Sequence, residues 1–121
     1  MEIEKLGGLT LAFVPADGPL LSSEADAVDL MGQTYGTGAD MVVLPVSRLV
    51  PDFFRLETRL AGLFIQKLQN YQLRLVIMGD ISAEMARSRA LTDFVGETNR
   101  IGFHLFVPDR AALAAAVPGR R

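Results

Sequence analysis

Apolar residues along this chain fall into two patterns that take turns. Short runs of β-forming residues stand at 3–6, 9–14, 41–44, 73–78 and 103–107. The run Met41-Val42-Val43-Leu44 is continuous between Asp40 and Pro45, as expected of a strand buried on both faces, and the run closed by Gly79-Asp80 reads the same way. Gly7-Gly8 separates the first two runs, a hairpin signal. Elsewhere the period becomes helical. Ser22-Ser23 followed by Glu24 and Asp26 is a helix start, with Ala27, Met31 and Thr34 on its apolar side and a stop near Gly36-Thr37-Gly38. Leu60, Leu63, Phe64, Leu68 and Tyr71 predict a helix over 59–71, and Leu91, Phe94 and Val95 mark one over 82–99. Pro108-Asp109 opens a last, alanine-rich helix ending before Pro118-Gly119. The order is ββαβαβαβα: an α/β domain with a mostly parallel five-stranded sheet, four helices and right-handed crossovers, in which 41–44 and 73–78 are neighbours.

Composition narrows the classes. The 121 residues suit one domain, 1–121, and a half-hydrophobic chain can build its core without staples. The absence of cysteine excludes disulfides, thiolate nucleophiles and cysteine-ligated metal sites, and it points to a cytoplasmic location. Mean hydropathy is +0.27, yet no apolar run approaches the roughly 20 residues that span a bilayer. The opening M-E-I-E-K does not read as a signal peptide. A net charge of −2 with scattered basic residues argues against nucleic acid, and Arg120-Arg121 reads as a tail.

Catalytic chemistry finds little to stand on. His104 is the single histidine, too few for an imidazole metal site, and reads as a structural residue whose side is set by strand alternation with Phe103 and Leu105. Glu24, Asp26 and Asp29 form a solvated helix face, with neither calcium-loop nor acid–base spacing. Both glycine-rich phosphate-binding motifs are absent. The expectation is a non-enzymatic protein without metal or redox cofactor.

The strings M-V-V-L-P-V-S-R-L-V-P-D-F-F and T-R-L-A-G-L-F-I-Q-K-L-Q-N-Y-Q-L-R-L-V-I-M-G-D resemble a bacterial family designated a domain of unknown function. D-A-V-D-L-M-G before them and L-T-D-F-V-G-E-T-N-R after them extend the resemblance over nearly the whole chain. That family is similar to the STAS domains, the group containing the anti-sigma-factor antagonist of sporulating bacteria. The resemblance implies a STAS-like fold. In the antagonists, the helix after the third strand begins with an Asp, two serines and a glycine, and a partner kinase phosphorylates one serine to break a complex. The matching stretch here is Leu56-Glu57-Thr58-Arg59-Leu60. Thr58 stands nearest the phosphorylated serine, Glu57 is the acidic neighbour, and Arg59 replaces the glycine. The connection before it is a few residues longer.

The candidate residues each carry two readings. Thr58 is either a phosphoacceptor or the N-cap of the 59–71 helix, a cap that aspartate would preserve. Asp52, Phe53 and Phe54, with Glu57 and Arg59, either form a partner surface or fold back, burying at least one ring. Asp80 and Ser82, near Thr58 at the C-terminal strand ends, either hold a ligand or cap the next helix. The leading expectation is a STAS-like regulatory or protein-interaction domain with a protein partner, and a homodimer through Phe53-Phe54 and a free hairpin edge. The alternative is a nucleotide or metabolite sensor at the strand ends.

Overall fold

In the computed structural model, which describes residues 1–117, the opening hairpin pairs β1 (Glu2–Leu6) antiparallel with β2 (Leu9–Phe13). The tail Arg120-Arg121 and the Pro118-Gly119 stop lie outside the described residues. There follow α1 (Glu24–Thr34), β3 (Met41–Pro45), α2 (Leu60–Asn70) and β4 (Arg74–Met78). The chain then forms α3 (Ser82–Ala86), α4 (Arg89–Ile101), β5 (Leu105–Val107) and α5 (Arg110–Ala116). The five strands lie in sequence order, β1-β2-β3-β4-β5, and every pairing after the hairpin is parallel. The α/β class, the five strands and the β3–β4 adjacency agree with the sequence reading.

Strand order dictates the layers. Three right-handed crossovers stepping the same way along a sheet leave their helices on one face. That face carries the larger core, where Ala27 and Leu30 of α1, Phe64 and Leu68 of α2, and Leu91 and Val95 of α4 meet Val42, Leu44, Leu75 and Ile77. The other face is left to α5, whose Leu113 packs with Leu11, Phe13, Met41, Val43 and Val76. β3 is therefore buried on both sides, as its continuous apolar run required.

Among the described residues there are five α-helices rather than the expected four. The single helix expected over 82–99 breaks at Ser88, which is extended (φ −145°, ψ 108°) and whose Oγ accepts the Leu91 N–H at 3.0 Å. A serine able to cap a fresh start competes with continuing the old helix. β5 is also shorter than 103–107. The Leu75 N–H facing β5 donates to His104 Nδ1 at 3.0 Å, and the Phe103 carbonyl accepts from Arg74 Nε at 2.9 Å, so side chains replace the first rungs of the ladder. His104 is consequently not placed by strand alternation. α1 stops at Thr34, a turn of residues before Gly38.

No helix among the described residues is long and apolar enough to cross a membrane.

Candidate functional site

The connection from β3 to α2 is built of three tight 3₁₀ turns, Val46–Arg48, Pro51–Phe54 and Leu56–Thr58. Pro51 suits the first position of its turn, where no N–H is needed. Phe53 and Phe54 then drop into the core, 0% and 6% exposed. Their rings meet edge to face at 5.4 Å, and Phe53 meets Phe64 of α2 at 5.6 Å. Of the two readings burial holds, and for both rings rather than one: they anchor the connection over the apolar side of α2, so the second ring is not the partner surface it was expected to offer. Neither is left over for a partner or for self-association.

What this anchoring leaves outside is charged. Arg55 reaches Asp52 at 3.5 Å and Glu57 at 3.3 Å, all three well exposed. The backbone N–H of Glu57, with Arg55 beside it, lowers the Glu57 pKa. Beside them is a hollow of about 380 Å³ whose wall also holds Glu84 and Arg87.

Thr58 ties this segment together. Its hydroxyl lies 2.8 Å from the Asp52 carbonyl and 2.7 Å from that of Arg55, and it accepts the Leu60 N–H at 3.3 Å. The helix cap itself falls one residue later, on Arg59, which has no side-chain capping bond and sits in the left-handed region (φ 67°, ψ 5°). That conformation costs an L-residue roughly 1–2 kcal/mol and a glycine almost nothing. Arg59→Gly is therefore expected to stabilise the fold by about 0.5–1 kcal/mol, after allowing for the extra freedom glycine has when unfolded. A thermal melt that moved down instead would mean that the Arg59 side chain makes a larger contribution than its exposure suggests.

Asp80 and Ser82 sit apart from Thr58, in a separate cleft of about 180 Å³ between the ends of β4 and β5. Asp80 Oδ1 accepts the Ser82 N–H at 2.9 Å, and the Ser82 hydroxyl and N–H together lower the Asp80 pKa. Gly79 before them (φ 152°) permits the turn, since a Cβ there would lie 2.7 Å from Cγ2 of Val46. The structure thus joins Asp52, Glu57, Thr58 and Arg59 on one segment, and Asp80 with Ser82 on another. A larger hollow of about 560 Å³ lies beside β5, but Arg74 and Asn99 in its wall are already spent on the backbone groups of Gly102, Phe103 and Phe106.

Sequence reasoning passed over Arg48. It is 9% exposed, and its guanidinium donates to the carbonyls of Pro15 (2.9 Å), Asp17 (3.4 Å) and Pro19 (2.8 Å). Its signal was a lone arginine directly after a buried strand, facing a proline-bounded loop in which every second carbonyl can turn the same way.

The sequence profile of a family described as Domain of unknown function (DUF4180) matches residues 6–117. No curated protein and no solved structure matches the chain.

Proposed function

The chain belongs to the DUF4180 family, and we propose that it is a non-enzymatic, STAS-like regulatory domain that binds a protein partner through the exposed segment around Thr58. The observation carrying this reading is the left-handed backbone of Arg59. It falls at the position that the resemblance matches to the antagonists' glycine, and it is a conformation that glycine adopts most readily. The charged trio Asp52, Arg55 and Glu57 and the exposed Arg59 make a polar recognition surface held rigid by the two buried rings beneath it. Two arginines flank Thr58, and an added phosphate would find them as partners.

The hydrogen bonds of Thr58 give the switch a mechanical form. Its single hydroxyl proton serves two carbonyls, and a phosphate ester has no proton to offer them. Modification would therefore open the turn over 52–58 rather than merely charge its surface. The same reasoning revises the expectation for aspartate. A carboxylate at 58 still accepts the Leu60 N–H but faces the Asp52 and Arg55 carbonyl oxygens. Thr58→Ala is expected to lose about 1 kcal/mol, and Thr58→Asp to lose more. Under the regulatory reading the aspartate form recovers less partner in a pull-down than the alanine form, each checked by thermal melt. Equal recovery from parent, alanine and aspartate forms would overturn it.

The sensor alternative has weaker support. Ligands of open α/β sheets gather where the strand order reverses, and this sheet has no reversal. The cleft at Asp80 and Ser82, about 180 Å³, is also below the roughly 300 Å³ at which small-molecule pockets begin.

A further inference from the structure

The two edges of the sheet are finished differently. The Gly79 N–H donates to the Val107 carbonyl, so Leu105 and Val107 face β4 and Phe106 turns its own N–H and C=O outward. Asn99 of α4 closes that edge. Its Oδ1 accepts the Phe106 N–H at 2.8 Å and its Nδ2 donates to the Phe106 carbonyl at 3.1 Å. One side-chain amide stands in for a neighbouring strand.

β1 has no such cover among the described residues. In β2 the even-numbered residues bond to β3, since the Thr10 carbonyl accepts from Asp40 and the Val14 N–H donates to Val43. The odd residues Leu9, Leu11 and Phe13 therefore face β1, and their partners there are Leu6, Glu4 and Glu2. Ile3 and Lys5 are left with N–H and C=O directed out of the sheet. Charges on an edge usually deter pairing. Here two of the three are held within their own subunit: Glu4 by Arg110 Nη2 of α5 at 2.7 and 2.9 Å, and Lys5, whose Nζ donates to Thr10 Oγ1 at 3.2 Å. The Ile3 side chain is 41% exposed.

We propose that β1 pairs antiparallel with β1 of a second copy, joining two five-stranded sheets into one of ten. A two-fold axis across a continuous sheet puts residues of the same face opposite each other. Of the registers this allows, the one with Glu4 on the axis sets Ile3 against Lys5 of the partner subunit, twice. Within the residues of β1 it alone uses every outward backbone group of Ile3 and Lys5, giving four hydrogen bonds. Its difficulty is Glu4 against Glu4, and the geometry answers it: each carboxylate brings its own Arg110, so two negative and two positive charges meet at the axis. The surface is separate from the one around Thr58 and stands or falls without it.

A chain without cysteine makes the register readable. On the axis, the Cα atoms of position 4 would lie about 4.5 Å apart, inside the range of roughly 4.4–6.8 Å that a disulfide spans. Symmetry mates at positions 2 and 3 would be offset along the strands, beyond that range. Under oxidised glutathione, Glu4→Cys is expected to form covalent dimer several-fold faster than Glu2→Cys or Ile3→Cys. Ile3→Pro removes an N–H that is unpaired in the monomer, a position where an edge strand tolerates proline. It is expected to keep the melting temperature near that of the parent and to abolish the dimer seen by light scattering at high concentration. A parent that stays monomeric, equal cross-linking at all three positions, or a dimer that survives Ile3→Pro would each overturn the pairing.

Discussion

Arg48→Leu is expected to destabilise the fold by about 3 kcal/mol or more, a large effect for one side chain outside the apolar core. The guanidinium is nearly buried and has no carboxylate partner among the described residues; the carbonyls of Pro15, Asp17 and Pro19 supply its solvation. Hydrogen bonds from a charged donor contribute about 1.5–3 kcal/mol each, and leucine would fill the space while leaving the carbonyls without donors. The loop that carries them is otherwise held by the Ser47 hydroxyl, which donates to the Ala16 carbonyl at 3.3 Å. It is tied at its end by a parallel bridge in which the Leu21 N–H donates to the Arg48 carbonyl at 2.6 Å and the Val50 N–H to that of Leu21 at 3.2 Å. Gly18 (φ 146°) lies over the guanidinium, and a Cβ there would come within 2.7 Å of its central carbon. Arg48→Lys keeps the charge but not the planar fork, so it should recover only part of the loss. Denaturant unfolding of the three forms tests this. A leucine variant within 1 kcal/mol of the parent, at unchanged m-value, would show that the loop is held from elsewhere.

Arg48 also marks the boundary of what the sequence made legible. Hydrophobic period identified all five strands and their order of appearance: β3 and β4 are apolar because both their faces are buried, whereas the largely exposed β1 was legible through the Gly7-Gly8 hairpin signal that follows it. Helix starts were legible where a capping side chain preceded them: Ser23 accepts from the Asp26 N–H, and Asp109 from that of Ala112. The break at Ser88 was missed although serine was there to be read, since no glycine or proline interrupts 82–95 and the stripe at Leu91, Phe94 and Val95 was extended back across it. The 46–58 connection was the least legible part. No period distinguishes 3₁₀ turns from loop, so Phe53 and Phe54 could not be assigned to core or surface by pattern. The cap was misplaced by one residue for a similar reason: threonine is the better capping residue, but Arg59 has the cap geometry. Long-range contacts were not legible at all, among them Arg48 with Pro15, Asn99 with Phe106, and His104 with Leu75 and Gln69.

His104 leads to the second large effect, in the dependence of stability on pH. Its ring is 5% exposed, with Nδ1 accepting the Leu75 N–H and Nε2 3.2 Å from Gln69 Oε1. An Nδ1 that accepts carries no proton, so the folded state holds the neutral imidazole with its proton on Nε2. Burial, and secondarily the positive charge of Arg74, pushes its pKa down from 6.5 to about 4. Arg74 sits nearby because its guanidinium lies 5.0 Å over the Phe103 ring and holds the carbonyls of Gly102 and Phe103. Between the two pKa values the unfolded chain binds a proton that the folded chain refuses, so stability rises with pH through that interval. The contribution is complete above 6.5, falls by up to about 1.4 kcal/mol per pH unit below it, and is lost near 4. The parent is therefore expected to lose about 2 kcal/mol between neutral pH and about pH 5. Most carboxylate losses fall lower, because the pKa values of Asp26, Glu57, Asp80 and Glu97 are themselves lowered. His104→Asn supplies the control: its amide oxygen can still accept from Leu75, and it does not titrate. That variant should be less stable at neutral pH yet nearly flat down to about pH 5, so the two curves converge as acid is added. Parallel curves, measured by denaturant unfolding at each pH, would mean that the folded imidazole takes up its proton as readily as the unfolded one, which an Nδ1 accepting the Leu75 N–H does not allow, and would overturn the assignment.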